Sequence, residues 1–125
     1  MNPDARARIS SASRIVVKVG SSSLTRPGGG LDVGRIEAPV AQIAGRHGAG
    51  HQVVLVSSGA IATGFPTLGL TRRPRDLATQ QAAASVGQGM LVAEYSRAFA
   101  AHGLTVGQVL VTAEEAPQYL DGLQA

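Results

Sequence analysis

Apolar positions fall in three short β-branched runs separated by stretches with helical spacing. Arg14-Ile15-Val16-Val17-Lys18-Val19 is the first run and reads as a buried strand ending in the turn Gly20-Ser21-Ser22-Ser23. Arg26-Pro27-Gly28-Gly29-Gly30 reads as a flexible loop. Asp32 is placed to cap a helix in which Val33, Ile36, Val40 and Ile43 recur at steps of three and four, so that they share one face. Pro39 removes a hydrogen bond inside that helix and predicts a kink or a break, and Gly48-Ala49-Gly50 predicts its end. Val53-Val54-Leu55-Val56 is continuous rather than alternating, the pattern of a parallel strand covered on both faces. Ser57-Ser58-Gly59-Ala60 follows, with a short helix predicted over Ala60–Thr63. Phe65–Arg75 reads as a loop carrying Arg72, Arg73 and Arg75. Asp76 is placed to cap a long helix reaching about His102, ended by Gly103. Gly87 and Gly89 in that helix each cost about 1 kcal/mol against alanine, which predicts a second backbone packed very close. Val106-Gly107-Gln108-Val109-Leu110-Val111 completes the series as a third strand.

Strands alternating with helices predict an α/β fold with a parallel sheet. At 125 residues the chain is one domain at most. A hydrophobic fraction of 44% with 15% charged residues excludes a disordered chain. The absence of cysteine excludes disulfide scaffolds, thiolate metal sites and cysteine nucleophiles. No apolar run approaches the ~18 residues that span a membrane. Met1–Ser13 carries Arg6 and Arg8 without a hydrophobic signal core, which predicts a cytoplasmic protein. Aromatic residues make up 3%, too few for a module that stacks bases, and no basic stripe lies on one predicted element, so nucleic acid is not expected as a partner. The net charge of +3 is unevenly laid out, because all eleven basic residues lie at or before Arg97 and Lys18 is the only lysine. An arginine-rich surface serves solubility or attracts anions, and composition leaves both open.

In open α/β sheets ligands sit outside the carboxyl ends of the strands. Two Gly/Ser turns fall there, Gly20-Ser21-Ser22-Ser23 beside Lys18 and Ser57-Ser58-Gly59-Ala60. Each offers backbone N–H groups and small hydroxyls with little steric cover. Together they predict a pocket for anionic groups, against the alternative of two ordinary loops. Named phosphate and hydrolase motifs fail: Phe65 and Pro66 stand where a P-loop needs lysine and serine, GxGxxG is absent, and Val56 replaces the first glycine of GxSxG. His47 and His51 flank a glycine loop rather than sharing a helix face, and no metal site is expected.

Four blocks carry a resemblance. Val16–Ser22, Val54–Gly64, Leu77–Gln88 and Val106–Thr112 together resemble the glutamate 5-kinases of the amino acid kinase family, in the same order and without a break from Arg14 to Thr112. The resemblance implies an αβα sandwich with a parallel sheet. It also implies transfer of the γ-phosphoryl group of ATP, with Mg²⁺, to the side-chain carboxylate of L-glutamate, giving glutamyl 5-phosphate on the route to proline. On that basis Lys18 is the catalytic lysine, and Lys18, Gly20 and Ser21 contact the ATP phosphates. Ser58, Gly59 and Ala60 contact glutamate.

The same comparison divides the chain into an N-terminal extension (1–13), the glutamate-side part of a kinase domain (14–112) and a diverged or truncated tail (113–125). Pro117–Gly122 matches the family only faintly, and the family's later glutamate-binding and adenine-binding segments have no counterpart in the sequence. The fold is therefore expected to stop after the third strand. A homo-oligomer or a complementary half-chain is an expected partner. The alternative is a non-catalytic binding or assembly module.

Overall fold

The computed structural model describes residues 13–108. Strand β1 (Arg14–Val19), helix α1 (Gly34–Gly48), strand β2 (Gln52–Ser57), the short helix α2 (Ala60–Gly64) and the long helix α3 (Leu77–Ala100) follow in that order. Single 3-10 turns at Ser21–Ser23 and Pro66–Leu68 punctuate the loops. The strands pair in parallel, with Val16 opposite Val54, Lys18 opposite Val56 and Val19 opposite Ser57. The fold is thus α/β with a parallel sheet, as the alternation of elements predicts. Of the predicted third strand, residues 106–108 have no regular structure, and Val109–Val111 lie outside the described residues, as do 1–12 and the tail.

The strands form because β-branched side chains suit a pleated, half-buried surface. Their alternation sends Val17, Val19, Val53 and Leu55 to a core built with Ile36, Val40 and Ile43 of α1 and Leu91, Tyr95 and Phe99 of α3. Val16 and Val56 point the other way and stay 49% and 39% exposed. Among the described residues, then, helices cover one face of the sheet, where the continuous apolar run of β2 predicts cover on both.

Other local expectations shift as well. Val33, not Asp32, is the N-cap of α1 and is 39% exposed; the Asp32 carboxylate instead pairs with Arg35 at 3.3 Å. Helix α1 runs unbroken through Pro39. The proline sits in its second turn, where the one bond it forfeits is outweighed by burial of Ile36, Val40 and Ile43 on the core. The glycine loop after Arg26 is tied down. Asp32 N–H donates to the Leu24 carbonyl at 2.8 Å, Arg26 N–H to Gly30 at 2.9 Å, and Gly30 N–H to Ala62 of α2 at 2.9 Å. Helix α3 begins as its sequence predicts, with the Asp76 side chain accepting from Thr79 N–H at 3.0 Å and Thr79 Oγ1 at 2.6 Å. Gly103 at φ +73° lets Leu104 N–H reach back to the Phe99 carbonyl at 3.0 Å, closing the helix.

The close backbone packing predicted from glycine is real at Gly87 and absent at Gly89. A Cβ on Gly87 would overlap the Ala60 carbonyl oxygen and lie 2.7 Å from its carbon and 2.9 Å from Gly64 N. Gly64 answers from the other side, where a Cβ would overlap the Ala83 carbonyl. Gly89 is exposed, and a Cβ there would meet no described atom within 4 Å beyond its own helix backbone.

Candidate functional site

Parallel pairing brings the two Gly/Ser turns side by side. Val19 stands opposite Ser57, and one residue further Ser58 N–H donates to the Val19 carbonyl at 3.2 Å, so the ladder continues into the second turn. In the first turn, Ser23 N–H returns to the Gly20 carbonyl at 3.2 Å, and Gly20 is exposed with open space where a Cβ would be. In the second, Gly59 takes φ +106°, a left-handed conformation that a side chain would strain, and this turns the chain straight into α2. Ser58 is exposed at the mouth of the turn and Ala60 is half-buried against the core.

Lys18 lies one residue before the end of β1 and is exposed, on the uncovered face with Val16 and Val56. Lys18, Gly20 and Ser58 therefore share one end of the sheet. Among the described residues no group of three or more His, Cys, Asp or Glu side chains is placed to hold a metal ion. A Mg²⁺ ion that arrives with ATP is held largely by the phosphates and by water, and asks for no such cluster.

Two residues to which the sequence pattern assigns no ligand contact support the second turn. Ser57 faces the covered side, and its hydroxyl lies 3.2 Å from Tyr95 Oη of α3 and 3.4 Å from the Ser58 carbonyl. With Ser57 donating to Ser58, Tyr95 is the donor to Ser57. Burial raises the Tyr95 phenol above 10.0, against the smaller opposing effect of Ser57, so the hydroxyl keeps its proton at neutral pH. The carbonyl and N–H flanking one trans peptide point in opposite directions, so holding the Ser58 carbonyl also fixes where Gly59 N–H points. The spacing of Leu91, Tyr95 and Phe99 at i, i+4 and i+8 marks Tyr95 as a core position with a polar atom in need of a partner.

A family comparison decides the wider setting. The amino acid kinase family matches residues 13–122. The chain belongs to the amino acid kinase family. It is 64% identical over 110 residues to a glutamate 5-kinase of Salinispora arenicola, 63% over 110 residues to one of Thermobifida fusca and 62% over 111 residues to one of Streptomyces coelicolor. These matches take in 88%, 88% and 89% of this chain and 30%, 28% and 30% of the relatives. The chain thus spans about 30% of the length of the curated amino acid kinases it matches. The parallel sheet and its helices agree with a fold of this family. Among the described residues no helix is long and apolar enough to cross a membrane.

Proposed function

We propose that this amino acid kinase chain forms the glutamate-side part of a glutamate 5-kinase, with residues 14–112 as the kinase portion, 1–13 as an extension and 113–125 as a tail. The observation that carries the reading is the juxtaposition of two open Gly/Ser turns at adjacent parallel strand ends, joined by Ser58 N–H to the Val19 carbonyl.

Ser58, Gly59 and Ala60 hold L-glutamate through a hydroxyl and the turn backbone. Lys18, Gly20 and Ser21 attend the ATP phosphates. A glutamate side-chain oxygen attacks the γ-phosphorus, the bond to the bridging oxygen breaks, and ADP leaves with its electron pair. The carboxylate is already ionised at neutral pH, so no general base is needed. Positioning and positive charge supply the catalysis, and Lys18 contributes the charge as a compact ammonium. ATP and glutamate are then the partners, in a cytoplasmic setting where ATP is available.

A chimera tests the reading. Residues 14–108 replace the matching segment of the Salinispora arenicola enzyme, and glutamate-dependent ADP release is followed. The expected result is an active chimera that Lys18→Ala slows by orders of magnitude. Ser58→Ala should weaken glutamate binding by about 1–3 kcal/mol, the loss of one hydrogen bond from a hydroxyl to a charged carboxylate. A folded chimera indifferent to both substitutions would remove these residues from the site. A folded chimera that binds glutamate but releases no ADP would favour the binding-module reading.

A further inference from the structure

We propose that the loops around Phe65 form a second, separate anion site that takes an oligophosphate, a ligand with several linked phosphates. Two open grooves of about 480 and 700 Å³ adjoin one another through Arg72 and Arg73, which line both. Arg26 and Arg35 complete the first and Arg75 the second. Five of the chain's ten arginines therefore line one continuous surface, and among the described residues no aspartate or glutamate lines either groove. Lys18, Gly20, Ser58 and Gly59 line neither, so the inference does not rest on the kinase reading.

Two features distinguish this surface from a scatter of solubilising charges. The first is rigidity. The Arg35 guanidinium is spent internally, donating to the Ser22 and Thr25 carbonyls at 3.3 Å each and pairing with Asp32. It pins the 3-10 turn and the loop that carries Arg26. Gly29, at φ +92°, sits so close to the Phe65 ring that a Cβ would overlap it, which fixes the tip of that loop against buried Phe65. Gln80 Nε2 donates to the Pro74 carbonyl at 3.1 Å and holds the loop bearing the other arginines.

The second feature is unspent charge. Among the described residues Arg26, Arg72, Arg73 and Arg75 make no ion pair. The nearest carboxylates in sequence are engaged, Asp32 with Arg35 and Asp76 with Thr79. A guanidinium binds a phosphate through two parallel N–H bonds, so one phosphate satisfies one or two arginines. Four free guanidinium groups across two joined grooves match a chain of phosphates instead. Phe65 is buried, so among the described residues the surface has no exposed aromatic ring on which to stack a base, and the phosphates carry the recognition.

The test is calorimetric titration of the 125-residue chain with sodium tripolyphosphate, with inorganic phosphate and with ATP. Tripolyphosphate should saturate a single site. The Arg72→Ala/Arg73→Ala double variant should weaken it at least ten-fold with an unchanged melting temperature. Lys18→Ala and the control pair Arg14→Ala/Arg46→Ala should leave it alone, and ATP should bind no more than a few-fold differently from tripolyphosphate. Should the double variant not fold, Arg26→Gln, which keeps a hydrogen-bonding side chain at an exposed position, takes its place with an expected loss of at least three-fold. The proposal is overturned by an affinity that follows Lys18 rather than the arginines, by an equal loss in the control pair, by inorganic phosphate binding as tightly as tripolyphosphate, or by no saturable binding.

Discussion

The contact between α2 and α3 allows a sharp experiment, because two glycines two residues apart in one helix have opposite surroundings. At Gly87 an added methyl group meets backbone atoms, which cannot swing aside as a side chain does. The Ala60 carbonyl carbon at 2.7 Å would have to retreat by roughly 0.8 Å to reach an ordinary carbon–carbon separation, and the carbonyl oxygen by more. Alanine gains about 1 kcal/mol of helix propensity. Overpacking of this kind costs ~1–3 kcal/mol, and the rigidity of the opposing backbone puts Gly87→Ala at the upper end. The net expectation is a loss of about 2 kcal/mol. Gly89→Ala meets open space and keeps the propensity gain, so it should stabilise by about 0.5–1 kcal/mol. Urea denaturation followed by circular dichroism reads the difference as a midpoint for Gly87→Ala roughly 1 M or more below that of Gly89→Ala, at equal slopes. Equal midpoints for the two variants would refute the packing argument, and with it the claim that Gly87 sets the position of Ala60.

Thr63 is fully buried and its hydroxyl has no hydrogen-bond partner among the described residues. Thr63→Val removes that unmet oxygen at nearly constant shape and should raise stability by about 1 kcal/mol, read in the same denaturation assay. Asp76 is held below its usual 3.8 by the Thr79 hydroxyl first and the Thr79 backbone second. A depressed folded value stabilises the protein above the unfolded pKa and is lost as pH falls through the folded one, so wild-type stability should decline below about pH 4 more steeply than that of Asp76→Asn, which keeps the cap without the charge. Tyr95→Phe should cost about 0.5–1.5 kcal/mol of stability and weaken glutamate binding in the chimera, whereas an effect on stability alone would make Tyr95 a core residue only.

The parts legible in the sequence are those governed by local chemistry. The β-branched run marks strand β1 over the residues it occupies, and Asp76 announces the start of α3 because a carboxylate three residues before Thr79 has an N–H within reach. Pro39 does not break α1, because propensity is local while the helix is held by burial of Ile36, Val40 and Ile43. Glycine was informative about a close approach but could not say which glycine made it, since Gly87 and Gly89 differ only in the helix face they occupy. The two Gly/Ser turns were visible as residues. Their registration was not, because it depends on pairing between strands 38 residues apart, as did the contact of Ser57 with Tyr95. The arginine surface was hidden for the same reason: Arg26 and Arg72 meet only through the fold.

Alternation along the strands puts the two halves of the proposed site under different control. Ser57 points to the covered face and meets Tyr95, so the turn through Ser58 and Gly59 is anchored to the hydrophobic core. Lys18 points to the other face, beside Val16 and Val56, where the described residues provide no cover. Solvent weakens an exposed ammonium. Its attraction to a phosphate charge 4 Å away is about 1 kcal/mol in bulk water and about 4 kcal/mol at the effective dielectric of a partly enclosed site. That difference of about 3 kcal/mol is more than a hundred-fold in rate if it is expressed in the transition state. The glutamate-side turn can therefore be formed in this chain while the phosphate side stays weak, and whatever buries Val16 and Val56 also strengthens Lys18. Lys18→Ala should accordingly matter most in the chimera, where the rest of the relative's chain is present. In the 125-residue chain by itself, ATP turnover should be low with or without the lysine. Vigorous glutamate-dependent ADP release by that chain, abolished by Lys18→Ala, would show that exposure on the open face does not limit the lysine.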